Sequence, residues 1–179
     1  MDGENGFPKA IRLSDGTIVG MSGDMRDGDI IYANIESLGI RADLTHNDVI
    51  NVVVPAVFEM LDRHGRIVTD ERGHKEMDSH ILIATAQNLF VISPDGFVIA
   101  GESFVAIGAV VSATICFDLL KNIRVPVYAK LLRIADALCN RETGIGYPIH
   151  LLAVGEMKGH HFNDSASLYD FCEITINGV

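Results

Sequence analysis

Positive charge is scarce in this sequence, and so are tryptophan and long apolar runs. Lys and Arg number 14 against 24 Asp and Glu, so the formal net charge is -10, and tryptophan is absent. A nucleic-acid surface needs clustered Lys and Arg, so this balance argues against nucleic acid as a partner. No run of about 18 apolar residues occurs, which argues against a membrane partner. The opening residues, MDGENGFPKA, lack the charged-then-apolar pattern of a signal peptide, which favours a cytoplasmic location.

Cysteine is also sparse, and its spacing argues against a metal site. Cys116, Cys139 and Cys172 each lie in an apolar stretch, so we expect reduced thiols inside a core. A zinc site would use paired spacing such as C-x-x-C, which does not occur. His160 and His161 are adjacent, and adjacent side chains in a loop or extended segment tend to point apart, so we interpret this pair as part of a solvated loop. We therefore expect neither a metal nor a cofactor.

What the sequence does have is a large apolar fraction and a clear order of elements. Hydrophobic residues make up 48% of the 179 residues, which is ample for a core and favours a single domain over residues 1–179. The patterns indicate a hairpin, two helices, a strand meander, two helices and two strands. Strands and helices that come in blocks argue against a parallel doubly wound sheet. They favour an α+β fold, with antiparallel sheets and helices packed outside them.

The first block combines a tight turn with a short helix. Two apolar runs flank Asp15-Gly16 and predict a hairpin over Lys9–Asp24, because glycine accepts the positive φ of a tight turn. The segment DGDIIYANIESLG has helical spacing, Gly39 is a suitable C-terminal stop, and Asp27 and Asp29 suit the positive end of the helix. GDMRDGD slightly resembles a calcium-binding loop but lacks its spacing, so we predict a helix-capping turn there.

A longer helix is predicted from about Asn47 to His64, capped by Thr45 or Asn47. Its apolar face consists of Val49, Val53, Val57 and Leu61. Pro55 lies inside it and removes one backbone hydrogen bond, which predicts a kink or, alternatively, a break into two segments. The polar run GRIVTDERGHKEMDS that follows is predicted to be an exposed loop or hairpin.

The second half begins with four predicted strands in quick succession. They are HILIAT, NLFVIS, FVIAG and SFVAIG, with a PDG turn between the second and the third. Apolar spacing predicts one helix from near Ala109 and another that starts at Pro126. Further strands are predicted in IGYPIHLLAVGE and YDFCEITING.

The block HILIATAQNLFVISPDGFVIAGESFVAIG, followed by an apolar helix, resembles proteasome β-subunits and their bacterial two-ring relatives. These proteins are N-terminal-nucleophile hydrolases. The earlier segment KAIRLSDGTIVGMSGDMRDGDIIYANIESLG also resembles them, and phage-encoded members of the group are especially similar here. The resemblance covers about Lys9 to Val154. It implies a four-layer αββα sandwich and a tendency to form rings or stacked rings.

The resemblance also implies where catalytic groups would lie. The family's nucleophile is the first threonine of the mature chain, which lies on a strand before the segment that matches Lys9. A second strand there carries an aspartate and a tuning lysine. Only eight residues precede Lys9, so we expect an N-terminally truncated version of the fold that lacks all three groups. Gly23 matches the glycine whose N–H points at the oxyanion, although a simple strand-to-helix turn also explains it.

Two further positions bear on catalysis. In the family, one strand-to-helix junction has the sequence A-I-G-S-G. Here Gly108 is followed by Ala109 and Val110, which have no hydroxyl group and less backbone freedom than serine and glycine. Self-cleavage between Gly16 and Thr17 would create a new N-terminal threonine, but it would also sever the predicted hairpin.

The sequence thus favours a non-catalytic proteasome-fold protein that acts as a structural or assembly component, with a phage virion or the cytoplasm as its setting. The alternative is a threonine peptidase or amidohydrolase whose catalytic strands come from an upstream segment or from another chain. Because open sheet edges invite association, we expect a homo-oligomer or an assembly with other protein chains.

Overall fold

A five-stranded antiparallel sheet organises the first part of the chain. The computed structural model describes residues 9–101, 107, 126–139, 149–151 and 160–162. The chain divides into two units, Met1–Gly108 and Ala109–Val179, and the sheet lies in the first. The single domain predicted over residues 1–179 stays a prediction.

The elements of the described residues follow the predicted order. The strands are β1 Ala10–Arg12, β2 Ile18–Gly23, β3 Val68–Thr69, β4 Lys75–Glu76, β5 Ser79–Ala84, β6 Leu89–Ile92, β7 Val98–Gly101, β8 Ile149–Leu151 and β9 His160–Phe162. The α-helices are α1 Met25–Ala33, α2 His46–Asp48, α3 Val54–Arg63 and α4 Val127–Cys139.

The sheet has the order β1-β2-β5-β6-β7, and every neighbouring pair is antiparallel. The predicted hairpin is confirmed: β1 and β2 pair around a turn in which Gly16 has φ +87°. The meander is confirmed through β7. The fourth predicted strand, SFVAIG, lies outside the described residues apart from Ile107.

Both faces of this sheet are apolar. The face that packs against the helices contributes Val19, Met21, Ile81, Ile83, Phe90 and Ile92 to the hydrophobic core. The opposite face carries Ile18, Leu82, Leu89 and Val91, which are buried or half-buried. A sheet with two apolar faces needs cover on both, as an inner layer of a sandwich does.

The first predicted helix is confirmed, with a change of geometry at Asn34. α1 ends at Ala33, and a 3₁₀ turn over Ile35–Leu38 follows and ends at Gly39 with φ +70°. The side-chain amide of Asn34 donates to the carbonyl of Ile30 at 2.8 Å, the group that its own N–H would bond in a regular helix. Because the side-chain amide takes the place of the backbone N–H on this carbonyl, the regular α-helix ends before Asn34.

The second predicted helix is confirmed over His46 to Arg63, and it continues through Pro55 without a break into two segments. Thr45 caps it through a reciprocal capping box with Asp48. A π-helical stretch over Val49–Val53 then leads into α3. That stretch contains Asn51, whose carbonyl a regular helix would press against the proline ring. The wider π turn is how the chain accommodates the proline.

The polar run after α3 forms an exposed hairpin of β3 and β4, as predicted, yet its ends are not exposed. Met77 is buried, Ser79 has only 1% of its surface accessible, and Arg66 is half-buried. The prediction of an exposed run is therefore wrong at both ends. Sequence polarity alone does not distinguish a solvated charge from one paired inside the fold.

The second unit is described only in part. α4 begins directly after Pro126, as predicted, and its residues Ala129, Leu132 and Ile134 are buried. β8 pairs with β9 in antiparallel register, so the predicted solvated loop at His160 and His161 is wrong, because these residues form backbone pairs with β8.

Several predictions fall on residues outside the described part of the chain. These are the helix near Ala109, the strand YDFCEITING, and the thiols of Cys116, Cys139 and Cys172. Within the described residues, no helix combines the length and the apolar character needed to cross a membrane.

Replacing Leu61 by Ala should lower the free energy of unfolding by about 2–5 kcal/mol, because its side chain is fully buried on the apolar face of α3. Ile50, which is 43% exposed in the same helical segment, provides the control. Ile50→Ala should cost less than about 1 kcal/mol. Urea unfolding followed by circular dichroism measures both, and equal losses would contradict this assignment of the buried face.

Candidate functional site

The candidate site is the corner where β2 passes into α1. β2 ends at Gly23, Asp24 is the N-cap, and α1 begins at Met25. The carboxylate of Asp24 accepts the N–H of Arg26 at 2.7 Å, which satisfies one of the free donors at the start of the helix. The run GDMRDGD is thus a helix-capping turn, as predicted.

Gly23 permits this corner in two ways. Its φ is +127°, a backbone conformation that side chains rarely adopt. A Cβ at this position would also lie 2.2 Å from the carbonyl oxygen of Asp78 and 2.6 Å from the Cα of Ser79. Gly23 therefore makes the strand-to-helix turn that its position in the sequence suggests.

The N–H of Gly23 points away from β5. In an antiparallel ladder, alternate residues direct their backbone groups to the same neighbouring strand. The N–H of Met21 donates to the carbonyl of Lys9 next to β1, and the N–H of Asp24 donates to Asp78 on the other side. The N–H of Gly23 consequently faces the β1 side, and Gly23 itself is exposed.

A buried carboxylate lies directly behind the corner. Asp27, in the first turn of α1, is 0% exposed. Its Oδ1 accepts the Nε–H of Arg66 at 2.7 Å, and its Oδ2 accepts the hydroxyl of Ser79 at 3.0 Å. Both oxygens are therefore bonded, which a buried charge requires.

Arg66 joins this carboxylate to the helix cap. Its Nη2 lies 2.8 Å from Oδ2 of Asp24, so one guanidinium bridges Asp24 and Asp27. The hydrogen bond to Asp27 raises the pKa of Arg66. The N–H of Arg26, with help from Arg66, holds the pKa of Asp24 below its ordinary value, so Asp24 is ionised at neutral pH.

A small open depression of about 50 Å³ lies in front of the corner. It is lined by Lys9, Met21, Ser22, Gly23, Asp24, Met25, Gly28 and Tyr32. The hydroxyl of Tyr32 donates to the carbonyl of Lys9 at 3.1 Å, and burial raises the pKa of Tyr32 to about 12, which keeps it a neutral donor. Pockets for small ligands are usually several hundred Å³, so this depression does not suit a whole ligand.

Comparisons with known proteins bear on the fold. Neither a family model nor a curated protein matches the sequence. The structure is similar to Anbu, the ancestral beta-subunit, from Yersinia bercovieri, with a TM-score of 0.67, 13% identity, and coverage of 96% of this chain and 84% of that one. It is also similar to the helical assembly of the Anbu complex from Pseudomonas aeruginosa, with a TM-score of 0.67, 15% identity, and coverage of 96% and 81%.

A third similar structure is BPH from Thiobacillus denitrificans, with a TM-score of 0.65, 17% identity, and coverage of 88% of this chain and 80% of that one. The chain has a proteasome-like fold. The resemblance to proteasome β-subunits implied this N-terminal-nucleophile hydrolase fold, and the structural similarity confirms it. At sequence identities this low, the similarity establishes the fold and does not establish a shared chemical activity.

Within this proteasome-like fold, the predicted site residues have different outcomes. Gly23 lies at the corner with its N–H on the β1 side, and its oxyanion role stays a prediction. Gly108, Ala109 and Val110 lie outside the described residues. Among the described residues, no group of three His, Cys, Asp or Glu side chains is placed to hold a metal.

Thr17 is not brought to this corner. It precedes β2, whereas Gly23 is the last residue of β2, so about 20 Å of extended strand separates them. Its side chain is buried, and its N–H donates to Asp15 at 2.9 Å inside the turn. Thr17 is thus part of the hairpin's own structure.

Arg66, Ser79 and Tyr32 were not predicted as site residues. Arg66 and Ser79 both lie in the run that we interpreted as exposed, 39 and 52 residues from Asp27 along the chain. Nothing local in the sequence pairs residues at such separations. One available signal was Asp27 itself, since an acid on the inward side of a short amphipathic helix needs a partner.

Gly23→Ala should lower the free energy of unfolding by at least about 2 kcal/mol, because both the φ and the contact with Asp78 oppose a side chain. Gly65→Ala is the matched control, since Gly65 has φ +66° with open space around it. That change should cost only about 1 kcal/mol. Thermal or urea unfolding measures both, and equal costs would show that the close approach to β5 does not matter.

We also expect the chain to stay intact before Thr17. Cutting there would break the covalent link between β1 and β2, and loss of β1 would leave β2 as an open edge of the sheet. Intact mass spectrometry of the purified chain measures this directly. A mature species that starts at Thr17 would contradict the expectation and restore the self-cleavage hypothesis.

Proposed function

We propose that this chain is a non-catalytic protein with a proteasome-like fold, acting as a structural or assembly component. The observation that carries the proposal is the use of the polar groups at the Gly23 corner. Asp24 caps α1, Asp27 and Arg66 are paired with each other, and the hydroxyl of Tyr32 holds the carbonyl of Lys9. These contacts build the corner, and none of the described residues that line the depression is a threonine.

The electrostatics of the corner support the same conclusion. An oxyanion bound to the N–H of Gly23 would develop beside Asp24, the next residue, which is ionised at neutral pH. An oxyanion site lowers a reaction barrier by surrounding developing negative charge with donors and positive charge. A neighbouring carboxylate acts in the opposite direction.

Exposed apolar side chains support a role in assembly. Three apolar residues each expose about two thirds of their surface: Met25, Val68 and Phe97. Another chain that packed over any of these side chains would remove its apolar surface from water, which favours association. The similar Anbu complex from Pseudomonas aeruginosa forms a helical assembly. We therefore propose a homo-oligomer, or an assembly with other chains, in the cytoplasm or, given the resemblance to phage-encoded members, in a virion.

One observation favours the alternative, an active threonine peptidase or amidohydrolase. The N–H of Gly23 faces the β1 side of the sheet on an exposed residue, so a donor remains where the family glycine would present one. A nucleophile would then have to come from an upstream segment or from another chain. The similar BPH from Thiobacillus denitrificans has been solved in complex with epoxomicin, which makes this compound a useful probe.

The purified chain should neither cleave peptides nor react with epoxomicin. A panel of fluorogenic peptides tests the first, and intact mass after incubation with epoxomicin tests the second. A catalytically active proteasome provides the positive control for both reagents. Peptide hydrolysis that epoxomicin blocks would overturn the non-catalytic proposal and support the alternative.

Light scattering tests the assembly proposal independently. We expect a mass well above the 19.4 kDa of one chain, and we expect Phe97→Ser or Met25→Ser to lower it if that side chain lies in the contact. Thr69→Ser, a change at an exposed polar position, is the control and should leave the mass unchanged. A monodisperse monomer at high concentration would contradict homo-oligomer formation.

A further inference from the structure

The exposed hairpin after α3 is attached to the Gly23 corner at both of its ends. We call residues 66–79 the hairpin arm. Arg66 is the first residue of the arm, and Ser79 is the last. Both bond the same carboxylate, that of Asp27, one at each oxygen.

The first end of the arm is held by charge. Arg66 donates to Asp27 at 2.7 Å and lies 2.8 Å from Asp24, and only 23% of its side chain is exposed. An arginine between two carboxylates in a partly buried site binds through its planar fork of donors, which fixes its direction.

The second end of the arm is held by close packing. The carbonyl of Asp78 accepts the N–H of Asp24 at 3.0 Å. The same carbonyl and the backbone of Ser79 occupy the space where a Cβ of Gly23 would be. The arm's last two residues thus form the wall against which Gly23 is fitted.

We propose that Asp27 is a buried latch that couples the hairpin arm to the Gly23 corner, so that the two open and close as one unit. When Arg66 leaves, Asp27 is a buried charge with a single hydroxyl partner, which is strongly unfavourable. Hydration of Asp27 then weakens its bond to Ser79. Loss of that contact releases Asp78 and Ser79 from Gly23. A displacement of the exposed arm is transmitted to the corner by this sequence of contacts.

The coupling does not depend on whether the N–H of Gly23 takes part in any reaction. It follows from Asp27 of α1, which bonds Arg66 and Ser79 although these two residues lie 13 positions apart in the sequence. Allosteric coupling requires such an element with two arrangements that both sites influence. Here the latched and unlatched states of Asp27 are those arrangements.

Hydrogen–deuterium exchange of the intact chain tests the coupling. Asp27→Asn keeps the shape and removes the charge, Arg66→Met removes the partner, and Ser79→Ala removes only the hydroxyl. In each variant, exchange should accelerate in the peptide that spans Gly23 and in the arm together, by at least about tenfold for the first two. Amides of β6 serve as the reference for global unfolding and should change little.

Lys75→Met is the matched control, because Lys75 pairs with Asp62 at 2.6 Å on the exposed part of the arm. This variant should accelerate exchange in the arm alone. Ser79→Ala is the mildest change, and circular dichroism establishes that it folds. Acceleration in the arm without acceleration at Gly23 in that variant would overturn the proposal, and so would an equal rise in β6.

Discussion

The structure of the first unit depends on one requirement, that a carboxylate without access to water must have both oxygens bonded. Asp27 meets it by drawing Arg66 and Ser79 to the first turn of α1. Those two contacts connect the chain just after α3 and the start of β5 to α1. They also bring Asp78 against Gly23, which is why only glycine suits that position. The corner between β2 and α1 is therefore a product of contacts made more than 35 residues away along the chain.

These contacts give Gly23 and Asp24 a structural role at the corner. The resemblance predicted an oxyanion donor at Gly23, and its N–H faces the β1 side of the sheet. The groups around it serve the corner itself: Asp24 caps α1, and Arg66 bridges two carboxylates. The charged groups of this corner thus contribute to its stability.

The hydrophobic pattern explains why the fold could be predicted so far. Four residues expected on one helical face are all fully buried: Val49, Val53, Val57 and Leu61. Every second residue of β5 is also buried. These signals are local, since period 3.6 and period 2 are properties of neighbouring residues. The details that sequence reasoning missed are of another kind. A π turn before Pro55, a 3₁₀ turn after Asn34 and the strand at His160 depend on how several backbone groups share their partners.

The sequence by itself determined the class of fold, the order of its elements, the hairpin around Gly16 and the strand-to-helix turn at Gly23, because turn chemistry and apolar periodicity act over a few residues. Only the tertiary structure decided that Asp27 is buried and that Arg66 and Ser79 bond it. It also decided that the carbonyl of Asp78 lies against Gly23. The reason is physical. The free energy of a buried charge is set by which groups surround it in space, and those groups come from segments that the sequence places far apart.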